Sequence, residues 1–81
     1  MDAVTYDRDA DALYVRLAEG YSARQQQYGD LRIVDLADDG TVLGIEFIDV
    51  SGGVDLRDLP FAQTVERLIH DSGQPVRLLA A

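Results

Sequence analysis

The hydrophobic period of this chain changes once, at Ser51-Gly52-Gly53, and that change limits the folds open to it. Before the step, apolar residues recur at every second position; after it, they recur at helical spacing. A chain that is strand-like first and helix-like second builds an α+β domain, in which the helix lies on one face of an antiparallel sheet.

The alternation starts with Val4 and Tyr6 and resumes as Leu13, Val15 and Leu17, separated by Tyr14 and Arg16. The acidic stretch from Asp7 to Asp11 is the turn between these strands. Ser22 to Tyr28 is polar, and its three glutamines suit an edge or solvent-exposed strand. Gly29-Asp30 turns the chain into Leu31–Leu36. Asp38-Asp39-Gly40 is a hairpin signal, because its glycine is free to take positive φ, and it leads into a strand over Val42–Val50. Setting Leu36 opposite Val42 puts Val34 opposite Gly44, Ile33 opposite Ile45 and Arg32 opposite Glu46. One face then carries Leu31, Ile33, Leu43, Ile45 and Phe47 as the main core. The other carries Arg32, Val34, Leu36, Val42, Glu46 and Ile48, with an Arg32–Glu46 ion pair expected across the strands.

From Asp58 onward Phe61, Ala62, Val65, Leu68 and Ile69 share one helical face, and Gln63, Glu66 and Arg67 lie on the other. A helix is expected over residues 58–72, capped by Asp58, with Pro60 in its first turn and Gly73 and Pro75 marking its stop. Residues 76–79 can add an edge strand or pack across the helix. The expected fold is an antiparallel β-meander of four to five strands over residues 1–50, with one carboxy-terminal amphipathic helix packed on one face. At 81 residues there is room for a single domain.

Composition narrows the function classes. The absence of cysteine removes thiolate chemistry and disulfides, and it fits a reducing cytoplasm. Stability must then come from packing or self-association, so a homo-oligomer, a dimer, is expected. No apolar run approaches the roughly 20 residues of a membrane span. A net charge of −8 repels phosphate backbones and anionic membranes, which argues against nucleic acid and membrane as partners and allows a basic protein. All seven cations are arginine, a bias that fits a GC-rich genome.

No catalytic, cofactor-binding or metal-binding set emerges. Asp7, Asp9 and Asp11 have the spacing that opens a calcium loop, but Ala12 stands where glycine is needed and Ala18 where the bidentate glutamate is needed. Asp71-Ser72-Gly73 matches the aspartic-protease tripeptide, yet it falls at a helix end where Ser-Gly is an ordinary stop. His70 is the sole histidine, placed to serve as a cation beside the helix dipole, and no serine sits in a nucleophile elbow. Ser51-Gly52-Gly53 follows a strand as a phosphate loop would, but Val54-Asp55-Leu56 brings a carboxylate and no lysine. Among the tyrosines, Tyr6 and Tyr14 cluster with Asp7 and Glu46 as a binding patch. The candidate partner surface is thus Tyr6, Asp7, Tyr14, Arg32, Val34, Leu36, Val42, Glu46 and Ile48.

Tyr6-Asp7, Ala10-Asp11-Ala12-Leu13-Tyr14-Val15-Arg16-Leu17, Ile33-Val34-Asp35-Leu36, Asp39-Gly40 and Gly44-Ile45-Glu46-Phe47 together resemble domain-of-unknown-function family 2283, over residues 4–51. The resemblance implies a compact β-rich prokaryotic domain with no family catalytic residue. It also implies an antitoxin-like role, through relatives associated with small toxin-like genes. Two functions are expected from these observations: a non-enzymatic interaction module that neutralises a basic toxin, or a ligand- or metal-responsive domain built on Asp7, Asp9, Asp11 and Glu46.

Overall fold

A computed structural model describes residues 3–79. Five strands, β1 (Val4–Asp7), β2 (Ala12–Arg16), β3 (Arg24–Gln27), β4 (Arg32–Leu36) and β5 (Val42–Ile48), form one antiparallel sheet in the order β1-β2-β5-β4-β3. Strands β3 to β5 run as a meander. The β1–β2 hairpin joins the far side of β5, because the segment from Leu17 to Ala23 carries the chain across the end of the sheet. The backbone N–H groups of Leu17 and Ala18 both donate to the Leu43 carbonyl, which fastens this crossover to β5.

Beyond β5 a single 3-10 turn (Val50–Gly52) leads to β6 (Val54–Asp55), then α1 (Ala62–Ser72) and β7 (Leu78–Leu79). The helix leans on β1 and β2, burying Val65 and Ile69. Val54, Leu56 and Leu59 seal the rest of the same sheet face. Between these layers Leu13, Val15, Val34, Ile45 and Phe47 are almost wholly removed from water. Phe47 is the largest of the fully buried side chains, and truncating it to alanine would cost about 3–5 kcal/mol.

Leu36 does pair with Val42, but the register slips immediately afterwards. Asp35 faces Gly44, so Leu43 is an extra residue bulged out of the ladder, and everything beyond moves by one position: Val34 faces Ile45, Ile33 faces Glu46 and Arg32 faces Phe47. A one-residue slip exchanges the faces of a strand. Val34 and Leu36 therefore lie in the core, with Val42 packed against it, while Ile33 turns outward. The expected Arg32–Glu46 pair does not form, because the two side chains project from opposite faces of the sheet.

The helix starts later than the apolar period suggests. Leu56 and Leu59 enter the core from an irregular segment, and Asp58, left-handed at φ 63, lies three residues before the N-cap position and so does not cap the helix. Phe61 occupies the N-cap position, also left-handed and without a side-chain cap, and it is exposed instead of joining the apolar face. At the other end Gly73 stops the helix as expected, its N–H donating to the His70 carbonyl. The tail makes a strand, but Leu78–Leu79 pairs in parallel with β6 and does not extend the main sheet. No helix among the described residues is long and apolar enough to cross a membrane.

Candidate functional site: the sheet face opposite the helix

One face of the sheet carries the helix and the 54–59 segment; the other has no second layer among the described residues. Alternation along each strand, combined with the observed register, lays its side chains out in rows. Thr5, Tyr14, Glu46, Ile33 and Gln27 form one row across all five strands. Arg16, Gly44, Asp35 and Gln25 form the next, while Asp7, Ala12 and Ile48 lie on the other side of Tyr14.

Tyr14 organises this face. Its side chain does not stand away from the sheet but leans over Gly44 toward the neighbouring row. A Cβ on Gly44 would lie 2.7 Å from the Val15 carbonyl oxygen and closer still to the Tyr14 ring and hydroxyl, so only glycine leaves room for the tyrosine. The Tyr14 hydroxyl donates to Asp35 Oδ2 at 3.3 Å, and Ser22 from the crossover donates to Asp35 Oδ1. Arg16 lies with its guanidinium carbon 5.9 Å from the Tyr14 ring centre, within cation–π range. Burial, helped by the nearby Asp35 charge, raises the Tyr14 pKa above 10.0, so the phenol is neutral at physiological pH. Ala12, Ile33 and Ile48 are half-buried beside it. Glu46, in the centre of the face, has no hydrogen-bond or ion-pair partner among the described residues.

The nine sequence candidates therefore divide. Asp7, Tyr14, Glu46 and Ile48 belong to the uncovered face. Tyr6 lies on the other face, opposite Leu13, and its hydroxyl donates to Asp11 Oδ1 at 3.1 Å. Val34, Leu36 and Val42 belong to the core side. Arg32 is structural: on the core side it donates to the carbonyls of Tyr28, Asp55 and Arg57 and comes within 4.0 Å of the Asp55 carboxylate, bolting the 54–57 segment to β4. Asp35, Ser22, Arg16 and Gly44 were not among the candidates. Asp35 itself held the signal, since a carboxylate between Val34 and Leu36 marks positions 33 and 35 as the solvent side of β4.

The acidic hairpin spends its carboxylates locally. Asp7 Oδ1 accepts the backbone N–H of Asp9 at 3.1 Å and of Ala10 at 3.3 Å, closing the turn. Asp11, left-handed at φ 52, accepts from the Ser51 hydroxyl at 2.9 Å and the Ser51 N–H at 3.2 Å. These bonds, the Ser51 hydroxyl first, hold its pKa below 3.8 against the opposing effect of desolvation. Among the described residues no three carboxylate or histidine side chains are placed to hold a metal ion.

The Asp11–Ser51 latch ties the first turn to the 3-10 turn that follows β5, and a family model described as "Protein of unknown function (DUF2283)" matches residues 3–51, the segment that latch closes. The chain belongs to the DUF2283 family. No curated protein and no solved structure matches it. The matched segment contains the five-stranded sheet, Tyr14 and its seat on Gly44; the helix and the β6–β7 pair lie outside it.

Proposed function

We propose that this DUF2283 protein is a non-enzymatic interaction module that binds a basic protein through the uncovered sheet face. One observation carries this reading: on a rigid sheet, half-buried Ala12, Ile33, Ile48 and Tyr14 sit among the carboxylates of Asp7, Asp35 and Glu46, with Arg16 the one cation of those rows. Apolar and aromatic centres with polar rims are how protein interfaces are built. The net charge of −8 would steer a cationic partner toward the molecule, raising its association rate at low salt.

The specific form is an antitoxin-like protein that neutralises a small basic toxin, acting in the cytoplasm. The test is co-expression with each small basic protein encoded beside this gene, followed by the mass of the purified complex. A stable complex that Glu46→Lys abolishes, while Glu66→Lys on the outer helix face leaves it intact, supports the reading. Absence of a complex with every such neighbour, or loss through Glu66→Lys alone, overturns it.

A further inference from the structure

We propose that β3 is a homodimer edge, pairing antiparallel with β3 of a second copy to make one continuous sheet. All four residues of β3, Arg24 and Gln25 to Gln27, are exposed, and the strand ends the sheet. In an antiparallel ladder alternate residues direct their N–H and C=O to the neighbouring strand. The Tyr28 N–H donates inward to the Arg32 carbonyl, so Gln26 and Arg24 share that side. Gln25 and Gln27 therefore direct their N–H and C=O groups away from the sheet.

Natural edges are protected by proline, lysine, bulges or inward charges. Residues 23–29, Ala-Arg-Gln-Gln-Gln-Tyr-Gly, contain no proline, no lysine and, in a chain of net charge −8, no carboxylate. The opposite edge, β1, ends in the acidic Asp7–Asp11 turn and would repel a copy of itself. Thus β3 is the edge on which two strongly acidic chains meet with least repulsion.

The side chains are self-complementary as well, which a two-fold interface requires. Pairing Gln25 with Gln27 of the second copy lets both pairs exchange their backbone hydrogen bonds. The same register sets Gln26 against its own copy on the two-fold axis and Arg24 against Tyr28 of the second copy. Glutamine both donates and accepts, so Gln–Gln pairs need no second residue type. The Gln27 side chain already donates to the Gly29 carbonyl at 2.8 Å, leaving its carbonyl oxygen for the partner. Arg24 opposite Tyr28 is a cation–π pairing. The remaining outer edges would both be β1, with its acidic turn, so the sheet closes as a dimer instead of growing. This interface is independent of what the uncovered face binds, although it would set two such faces side by side.

Sedimentation equilibrium of the full chain should give twice the 8.9 kDa chain mass as concentration rises. Hydrogen exchange should show the Gln25 and Gln27 amides becoming protected over the same range. Gln25→Pro removes an outward N–H in each copy without touching the β3–β4 ladder, and Gln26→Glu places like charges on the axis. Each should weaken dimerisation roughly ten- to a hundred-fold. If Gln25→Pro does not fold, Gln26→Glu carries the test. A monomer at every concentration, a dimer whose Gln25 and Gln27 amides exchange freely, or a dimer that survives Gln26→Glu would overturn the proposal.

Discussion

At Gly44, one hydrogen in place of a methyl group decides how the uncovered face is arranged. Gly44→Ala drives a Cβ into the Tyr14 ring and the Val15 carbonyl, and a backbone atom cannot swing aside as a flexible side chain can. The expected loss is about 1–3 kcal/mol in urea denaturation, the usual range for overpacking. Because the displaced phenol would also leave its part-buried place beside Asp35, its titration should move back down toward 10.0. Unchanged stability together with an unchanged Tyr14 titration would contradict the seating of Tyr14 on Gly44. Arg32 and Glu46 offer a second contrast at this scale. Arg32→Met removes a charged donor from three carbonyls and should cost roughly 2–3 kcal/mol, whereas Glu46→Gln should stay within about 0.5 kcal/mol. Equal costs measured by the same denaturation would favour an Arg32–Glu46 pair and the register that goes with it.

At the scale of elements, the segment between sheet and helix depends on Asp55. It accepts from the Arg57 side chain at 2.9 and 3.0 Å and from the Arg57 backbone at 3.0 Å, with Arg32 nearby. The Arg57 hydrogen bonds, more than the charge alone, lower its pKa from 3.8 to about 2. A depressed carboxylate contributes stability that is complete above its unfolded value and is lost as pH falls toward the folded one. Stability should therefore fall between pH 3.8 and about 2, and Asp55→Asn should flatten that part of the denaturation profile. An identical acid slope in the variant would show that the bridge contributes nothing. The elements themselves were largely legible in the sequence: the strands in their alternation, the hairpins in Asp-rich turns, the helix stop in Gly73. The faces of β4 are ambiguous in the sequence, because each side of Leu31–Leu36 pairs two apolar residues with one charge, Asp35 on one side and Arg32 on the other, and the Leu43 bulge leaves no compositional mark. The helix start was hidden because Asp58 and Pro60 look like a cap and a first turn and Phe61 fits the apolar period, although Asp58 and Phe61 are left-handed and Phe61 is exposed.

Across the whole molecule, the helix and the 54–59 segment cover one side of the sheet, and the Asp11–Ser51 latch closes the matched family segment on itself. The opposite side has no second layer among the described residues, and it is the surface proposed for recognition. Sequence alone located the question there through Glu46, Ile48 and Tyr14, but it placed three core residues and a structural arginine on the same surface. Much of the DUF2283 signature thus reads as architecture: Asp7 closes a turn, Asp11 latches it, and Gly44 seats Tyr14. On the function proposed above, the face built around that tyrosine is the one a basic partner contacts. The most direct measurement is amide chemical-shift mapping of the isotope-labelled chain while a small basic protein encoded beside its gene is titrated in. Perturbations should concentrate in Ala12–Arg16, Ile33, Asp35 and Gly44–Ile48 and fade as salt is raised. Perturbations centred on the Ala62–Ser72 helix, with the sheet residues unmoved, would contradict that proposal.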